Sequence, residues 1–185
     1  MSFYNDSRNV DNYIHMAEGF DGKMLIEKLK THLNLGAKVL EIGMGPGKDY
    51  EILSEDFSVS GTDASSIFVD RYKLLNPDAN VFLLDAVIME LDEKYDCFYS
   101  NKVLMHLTTE QMIVSLKKQK ALLNDGGVLF HSLWTGENEE YFDGLRFVYY
   151  NKSNLVKLLE NDFEIVEMQL YQEMEENDSV YVVLK

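Results

Sequence analysis

Along residues 22–33 apolar side chains recur at helical spacing through Leu25, Leu29 and Leu33, and Gly36 follows as a stop. From Lys38 the rhythm changes. Short apolar runs now alternate with helical stretches: "KVLEI" leads to a helix at 48–56, "FSVSGT" to one at 65–75 and "NVFLL" to a loop. "YDCFYS" leads to a helix at 108–123, and "GGVLFHSLW" ends the series. This alternation predicts an α/β fold, a doubly wound parallel sheet with helices on both faces, because each crossover must return the chain to the same edge.

Thr108, three residues before Gln111, forms a capping-box pair at the start of the 108–123 helix, and "NDGG" at 124–127 ends it. Residues 135–151, "TGENEEYFDGLRFVYYN", read as a long loop carrying five aromatics. A last amphipathic helix near 153–161 leads to "FEIVEMQLYQ", the turn "EENDS" and "VYVVLK". Two strands joined by a short turn make an antiparallel hairpin, so the seven-stranded sheet is expected to be parallel with one reversed C-terminal strand at its end. Residues 1–20 are mixed and aromatic. No repeat or linker divides the chain, and residues 1–185 are read as one domain.

Composition narrows the partners. At 185 residues the chain can bury the core of one domain. Lys and Arg number 17 against 32 Asp and Glu, a formal charge of −15, so the long-range field repels nucleic acid and favours a neutral or cationic small molecule. Cys97 is the only cysteine, which excludes a disulfide framework. His15, His32 and His131 show no metal spacing with carboxylate partners, and no metal is expected. The first ten residues lack a signal-peptide pattern and no apolar run is long enough to span a membrane, so the expectation is a soluble, cytoplasmic protein.

The chemistry concentrates in "KVLEIGMGPGKD", residues 38–49. A glycine turn after a strand brings backbone close to a ligand, and the following helix offers free amides. Dinucleotide sites space their glycines as G-x-G-x-x-G, but here the sixth position is Lys48 and the third glycine is Gly47. Glu41, two residues before Gly43, is out of place beside a pyrophosphate and suits an ammonium group.

At these residues the chain resembles the class I S-adenosylmethionine-dependent methyltransferases of small-molecule type, whose first motif is acid-x-G-x-G-x-G. Glu41, Gly43, Gly45 and Gly47 match it, with Met44 inside the turn. Asp63 ends the second strand, where a carboxylate can accept both ribose hydroxyls, and Ala64 follows it. The resemblance implies that Asp85 takes the adenine amino hydrogens and that the Ala86 amide faces the ring. It also implies that Ser100, Asn101 and Val103 of "SNKVLMHL" line the methionine end, and that the cofactor is S-adenosylmethionine. Taken singly, Asp63 and Asp85 also read as strand-end turn residues.

His106 reads either as a packed histidine or, through the resemblance, as a general base near the methyl group. The aromatics of 135–150 could pin their loop or wall a substrate pocket. Tyr13, Trp134, Arg146 and Tyr149 are the substrate-side candidates, Arg146 matching an arginine common in small-molecule members, with Tyr4 beside them. Residues 1–33 are expected to form an N-terminal helical lid and 135–150 a substrate-side loop. The residues after the fourth strand lack the [N/D]-P-P-aromatic motif of amino-group methyltransferases acting on bases and glutamine, and a lone cysteine disfavours arsenite chemistry. A small molecule with an oxygen or nitrogen acceptor is the expected partner. A cofactor-binding protein without catalysis and a nicotinamide oxidoreductase stay open as alternatives.

Overall fold

A computed structural model describes residues 3–185. In chain order its strands are β1 (Lys38–Ile42), β2 (Ser58–Asp63), β3 (Val81–Leu83), β4 (Tyr95–Asn101), β5 (Leu123–Trp134), β6 (Glu139–Phe142), β7 (Leu145–Val148), β8 (Ile165–Tyr171) and β9 (Ser179–Leu184). The helices are α1 (Ser7–Met16), α2 (Lys23–Leu29), α3 (Lys48–Leu53), α4 (Ser66–Leu75), α5 (Thr109–Ala121) and α6 (Lys152–Leu159). Seven strands form one sheet in the order β3-β2-β1-β4-β5-β9-β8. Its pairs are parallel except those made by β9, which runs antiparallel to both β5 and β8. The reversed strand is thus the last in the chain but lies one place in from the sheet edge. Strand order reverses between β1 and β4, which opens a crevice at their carboxyl ends.

Alternation along the strands fills two cores. Leu40, Ile42, Phe98, Leu129, Leu133, Val180 and Val182 face α5 and α6, meeting Met112, Leu116, Leu155 and Leu159. Val39, Cys97, Tyr99, Val128, Phe130, Tyr181 and Val183 face α2 and α3, meeting Leu25, Ile26, Leu29 and Leu53. Cys97 is fully buried there. Each such apolar side chain contributes about 1.5–3 kcal/mol relative to exposure. Tyr99, Phe130 and Tyr181 stack across three neighbouring strands, with ring centroids 5.8 and 5.3 Å apart.

The capping box at Thr108 and Gln111 is present. Two features differ from the sequence pattern, the loop at 139–148 and the turn at 124–127. Residues 139–148, expected as loop, form the two-stranded hairpin β6–β7, turned by Asp143 (φ 49°) and Gly144 (φ 84°). Both turn residues are left-handed, the backbone that an Asp-Gly pair adopts in a two-residue hairpin. Within the segment expected to be helical, residues 7–16 form helix α1, begun by Asp6, whose side chain accepts from the Arg8 amide. "NDGG" does not stand apart as a turn. β5 starts at Leu123, opposite Tyr95, and pairing jumps to Cys97 and Val128, so the four residues bulge out within the strand. Among the described residues no helix is long and apolar enough to cross a membrane.

Candidate cofactor-binding and active site

Gly43, Gly45 and Gly47 all have positive φ, 71°, 51° and 91°, and carry the chain from β1 into α3. A side chain at Gly43 would overlap Val103, and one at Gly47 would overlap the Tyr72 ring. Only glycine satisfies both the backbone and the space. Met44 lends the turn its backbone alone, since its side chain is buried with Val69, Tyr72 and Val81.

Sheet alternation decides which side chains reach this turn. Glu41 lies on the α2/α3 side of β1, in register with Tyr99 of β4, and Asn101 lies two residues further on the same face. Glu41 is 3 % exposed, and its Oε2 has no hydrogen-bond partner among the described residues. Burial, with Asp49 and Asp63 adding to it, pushes the Glu41 carboxyl well above the usual carboxylate range. A buried acceptor without a donor is costly, and this oxygen can accept from a donor that a ligand brings.

Asp49, absent from the sequence-based candidates, is central to the arrangement. Its Oδ1 accepts from the Gly22 amide (2.6 Å), and its Oδ2 accepts from the Tyr99 hydroxyl (2.8 Å) and Asn101 Nδ2 (3.1 Å). It ties the N-terminal segment, α3 and β4 together. The signal that could have found it is its place in the first turn of the helix after the glycines, where a carboxylate meets free amides.

Asp63 ends β2 nearly buried; its Oδ2 accepts from the Gly45 amide (3.0 Å) and its Oδ1 from the Ser65 amide (2.8 Å). Desolvation raises its pKa, and these backbone bonds oppose the rise. Two amides fix the carboxylate and leave lone pairs on both oxygens. Ala64, next to it, is exposed. Asp85 is exposed and its Oδ1 caps the following turn, accepting from Val87 (2.7 Å) and Ile88 (3.0 Å), with Ala86 half-buried beside it.

Ser100 lies elsewhere than the sequence pattern implied. Its hydroxyl is fully buried and bonded to His131 Nδ1 (2.8 Å), on the α5/α6 side of the sheet, because neighbours on a strand point to opposite faces. Asn101 faces the site, holding Asp49 and accepting from the Ser132 hydroxyl (2.6 Å). Val103 packs over Gly43.

His106 follows in a short 3-10 turn. Its Nδ1 bonds the Arg146 carbonyl at 2.7 Å, so that nitrogen carries the proton and Nε2 keeps a lone pair. Burial lowers the ring's pKa, and Phe147 packs edge-on at 4.8 Å. The substrate-side candidates do not form one wall. Trp134 has the Lys102 ammonium over its ring at 3.6 Å. Arg146 pairs with Glu139 at 3.5 Å and lies over the Tyr141 ring. Tyr149 lines a cleft of about 320 Å³ with Thr109, Glu137, Glu139, Tyr150 and Asn154.

Tyr13 stands apart from these, over the glycine turn. Its ring packs against Tyr4 and Phe68 and approaches Gly45, and burial beside Asp63, Asp49 and Glu41 pushes its phenol up to about 12. Ion pairing of Arg71 with Asp11 (2.6 Å) and a bond from Lys48 Nζ to the Ala17 carbonyl (3.1 Å) hold the segment in place.

Comparison with known proteins bears on this arrangement. The profile of a family described as a methyltransferase domain matches residues 21–167. Among solved structures, the CcbJ methyltransferase from Streptomyces caelestis is 14% identical, with 100% of this chain and 98% of that one covered at a TM-score of 0.79. An S-adenosylmethionine-dependent methyltransferase from Clostridium acetobutylicum is 13% identical, with 97% and 99% covered at 0.77. The glycopeptide N-methyltransferase MtfA, complexed with S-adenosylmethionine, is 15% identical, with 91% and 88% covered at 0.73. At these identities the likeness is one of fold.

Proposed function

The chain belongs to the methyltransferase-domain family, and from that premise we propose that it moves a methyl group from S-adenosylmethionine to an oxygen or nitrogen of a small organic molecule. The observation that carries the reading is the unpartnered, buried oxygen of Glu41 beside a left-handed glycine turn. An ammonium group supplies the missing donor and neutralises the carboxylate. A pyrophosphate would set like charges together.

When bound, S-adenosylmethionine supplies an activated methyl on a sulfonium, so the chain needs no nucleophile of its own. Glu41 accepts from the ammonium, and Asp49 holds Asn101 at the methionine end. Asp63, fixed by two amides, accepts from the ribose hydroxyls, with Ala64 alongside. Asp85 and the Ala86 amide meet the adenine edge. Val103, over Gly43, walls the reacting end, and Gly45 with Met44 offers backbone. Ser100 contributes through its main chain only.

His106 acts as base in this reading: Nε2 takes the proton the acceptor sheds, and the lowered pKa keeps the ring neutral near pH 7. The aromatic and acidic cleft around Tyr149 receives the acceptor, with Arg146 held beside it by Glu139 and the half-buried Trp134 assigned to the same side. Of the expected lid, residues 1–33, the described residues 3–33 swing Tyr13 off the turn to admit cofactor, residues 1 and 2 lying outside the described ones, and 135–150 serve as the substrate-side segment. Nitrogen acceptors draw support from the MtfA likeness.

Incubation with methyl-labelled S-adenosylmethionine and a fractionated extract of small metabolites tests this. Label is expected in a low-mass amine or alcohol fraction, with S-adenosylhomocysteine accumulating in step. Cofactor binding with no transfer to any fraction would reduce the protein to a binder.

A further inference from the structure

Lys102 is the residue after Asn101, at the carboxyl end of β4, and it has φ 58°. A bulky residue in left-handed backbone is strained and persists only where its surroundings hold it. Those surroundings are specific. Its Nζ donates to Ser179 Oγ at 2.5 Å and to the Leu133 carbonyl at 3.2 Å, and lies 3.5 Å from Glu173. The same ammonium sits over Trp134, with the Tyr171 ring 5.1 Å away. Its main-chain amide is shared between the Ser132 carbonyl and Ser132 Oγ, each at 3.1 Å, and that hydroxyl in turn donates to Asn101 Oδ1. A continuous chain of bonds therefore runs from Lys102 through Ser132 and Asn101 to Asp49.

The side chain and the amide of one residue thus do two linked things. The ammonium fastens the turn between β8 and β9 to β4 and β5, and the amide sets the register of the Ser132–Asn101–Asp49 chain. We infer that Lys102 is a positioning residue for the methionine end of the cofactor site, its charge holding the strained backbone from which Asn101 is aimed at Asp49. This rests on the cofactor reading given above. Lys102 itself does not touch ligand, since its donors are committed within the protein.

The charge is separately measurable. Burial lowers the Lys102 pKa to about 8, against the opposing pull of Glu173 and Asp178. The ionisable groups around it are Glu173 and Asp178 in the turn and Tyr171 on β8; β5 contributes the Leu133 carbonyl and the Trp134 ring, and β9 the Ser179 hydroxyl. Trp134 is the only tryptophan in the chain, so its emission reports directly on the ammonium above it.

The experiment compares wild type, Lys102→Arg and Lys102→Met, following Trp134 emission and calorimetric affinity for S-adenosylhomocysteine as pH rises. In wild type both should change with a common midpoint near about pH 8, affinity falling about tenfold as the chain to Asp49 loosens. Lys102→Arg should keep neutral-pH affinity and show no such midpoint, because a guanidinium stays charged there and still meets carboxylate and ring. Any fall that remains in Lys102→Arg belongs to the ligand's own amine or to Glu41, and is subtracted from the wild-type curve. Lys102→Met should bind about tenfold more weakly at neutral pH, with no midpoint.

Wild-type affinity in Lys102→Met, or wild-type affinity holding level while Trp134 emission shifts, would overturn the inference. The second outcome decides it even if Lys102→Met fails to fold. Failure of wild type to bind S-adenosylhomocysteine at any pH would instead refute the cofactor reading, and this inference with it.

Discussion

Glu41 is held in a position that the empty protein does not repay. With its pKa raised by burial, Asp49 and Asp63, the folded state keeps a proton that the unfolded chain has already lost. Stability of the empty protein therefore falls as pH rises from the ordinary glutamate value to the raised one. Glu41→Gln should remove that fall, leaving the unliganded protein as stable or more stable near pH 7 by thermal melting. The same change should weaken S-adenosylhomocysteine more than tenfold, since a hydrogen bond to a charged group contributes about 1.5–3 kcal/mol. Wild type should release a proton on binding within the pH window where Glu41 titrates, seen as a buffer-dependent calorimetric heat. Undiminished affinity in Glu41→Gln would contradict the role assigned to it. Glu41 stood out in the sequence because it precedes the glycine turn at the acid position of the motif that the chain resembles. Asp49 was not, because its three donors, Gly22, Tyr99 and Asn101, are distant in sequence and meet only in the fold.

At the scale of elements, strands were legible where both sheet faces are buried and the apolar runs are continuous, as in β1, β4 and β9. The β6–β7 hairpin was hidden because β6 is exposed throughout and carries no apolar run, although its Asp143-Gly144 turn was on view. Ser100 was misdirected for a different reason: a motif fixes a position, but the pleat decides its face. Helix α1 lay inside the segment read as helical, but its bounds were obscured by its polar surface, with Val10 its one buried side chain. The hairpin supplies Arg146, whose carbonyl orients His106, and Glu139 in the cleft around Tyr149. Gly144→Val, forced into a left-handed turn that β-branched residues avoid, should loosen the hairpin. The acceptor KM should rise severalfold while affinity for S-adenosylhomocysteine stays within about twofold. Equal losses in both would mean that the hairpin supports the whole fold rather than the acceptor side.

For the molecule as a whole, the formal charge of −15 surrounds a glycine turn beside which Glu41, Asp49 and Asp63 are buried. Such a field attracts cations and is screened by salt. S-adenosylmethionine carries one more positive charge than S-adenosylhomocysteine, so its affinity should fall more steeply between low and physiological ionic strength. Equal salt slopes would show that the field does not reach the sulfonium site. The methyltransferase-domain family uses S-adenosylmethionine, a ligand with an ammonium, a ribose and no phosphate. Parallel calorimetric titration of the intact protein with S-adenosylhomocysteine and with NADH tests that claim most directly: saturable one-to-one binding of the first and no heat from the second is the predicted result, and binding of NADH without S-adenosylhomocysteine would contradict it.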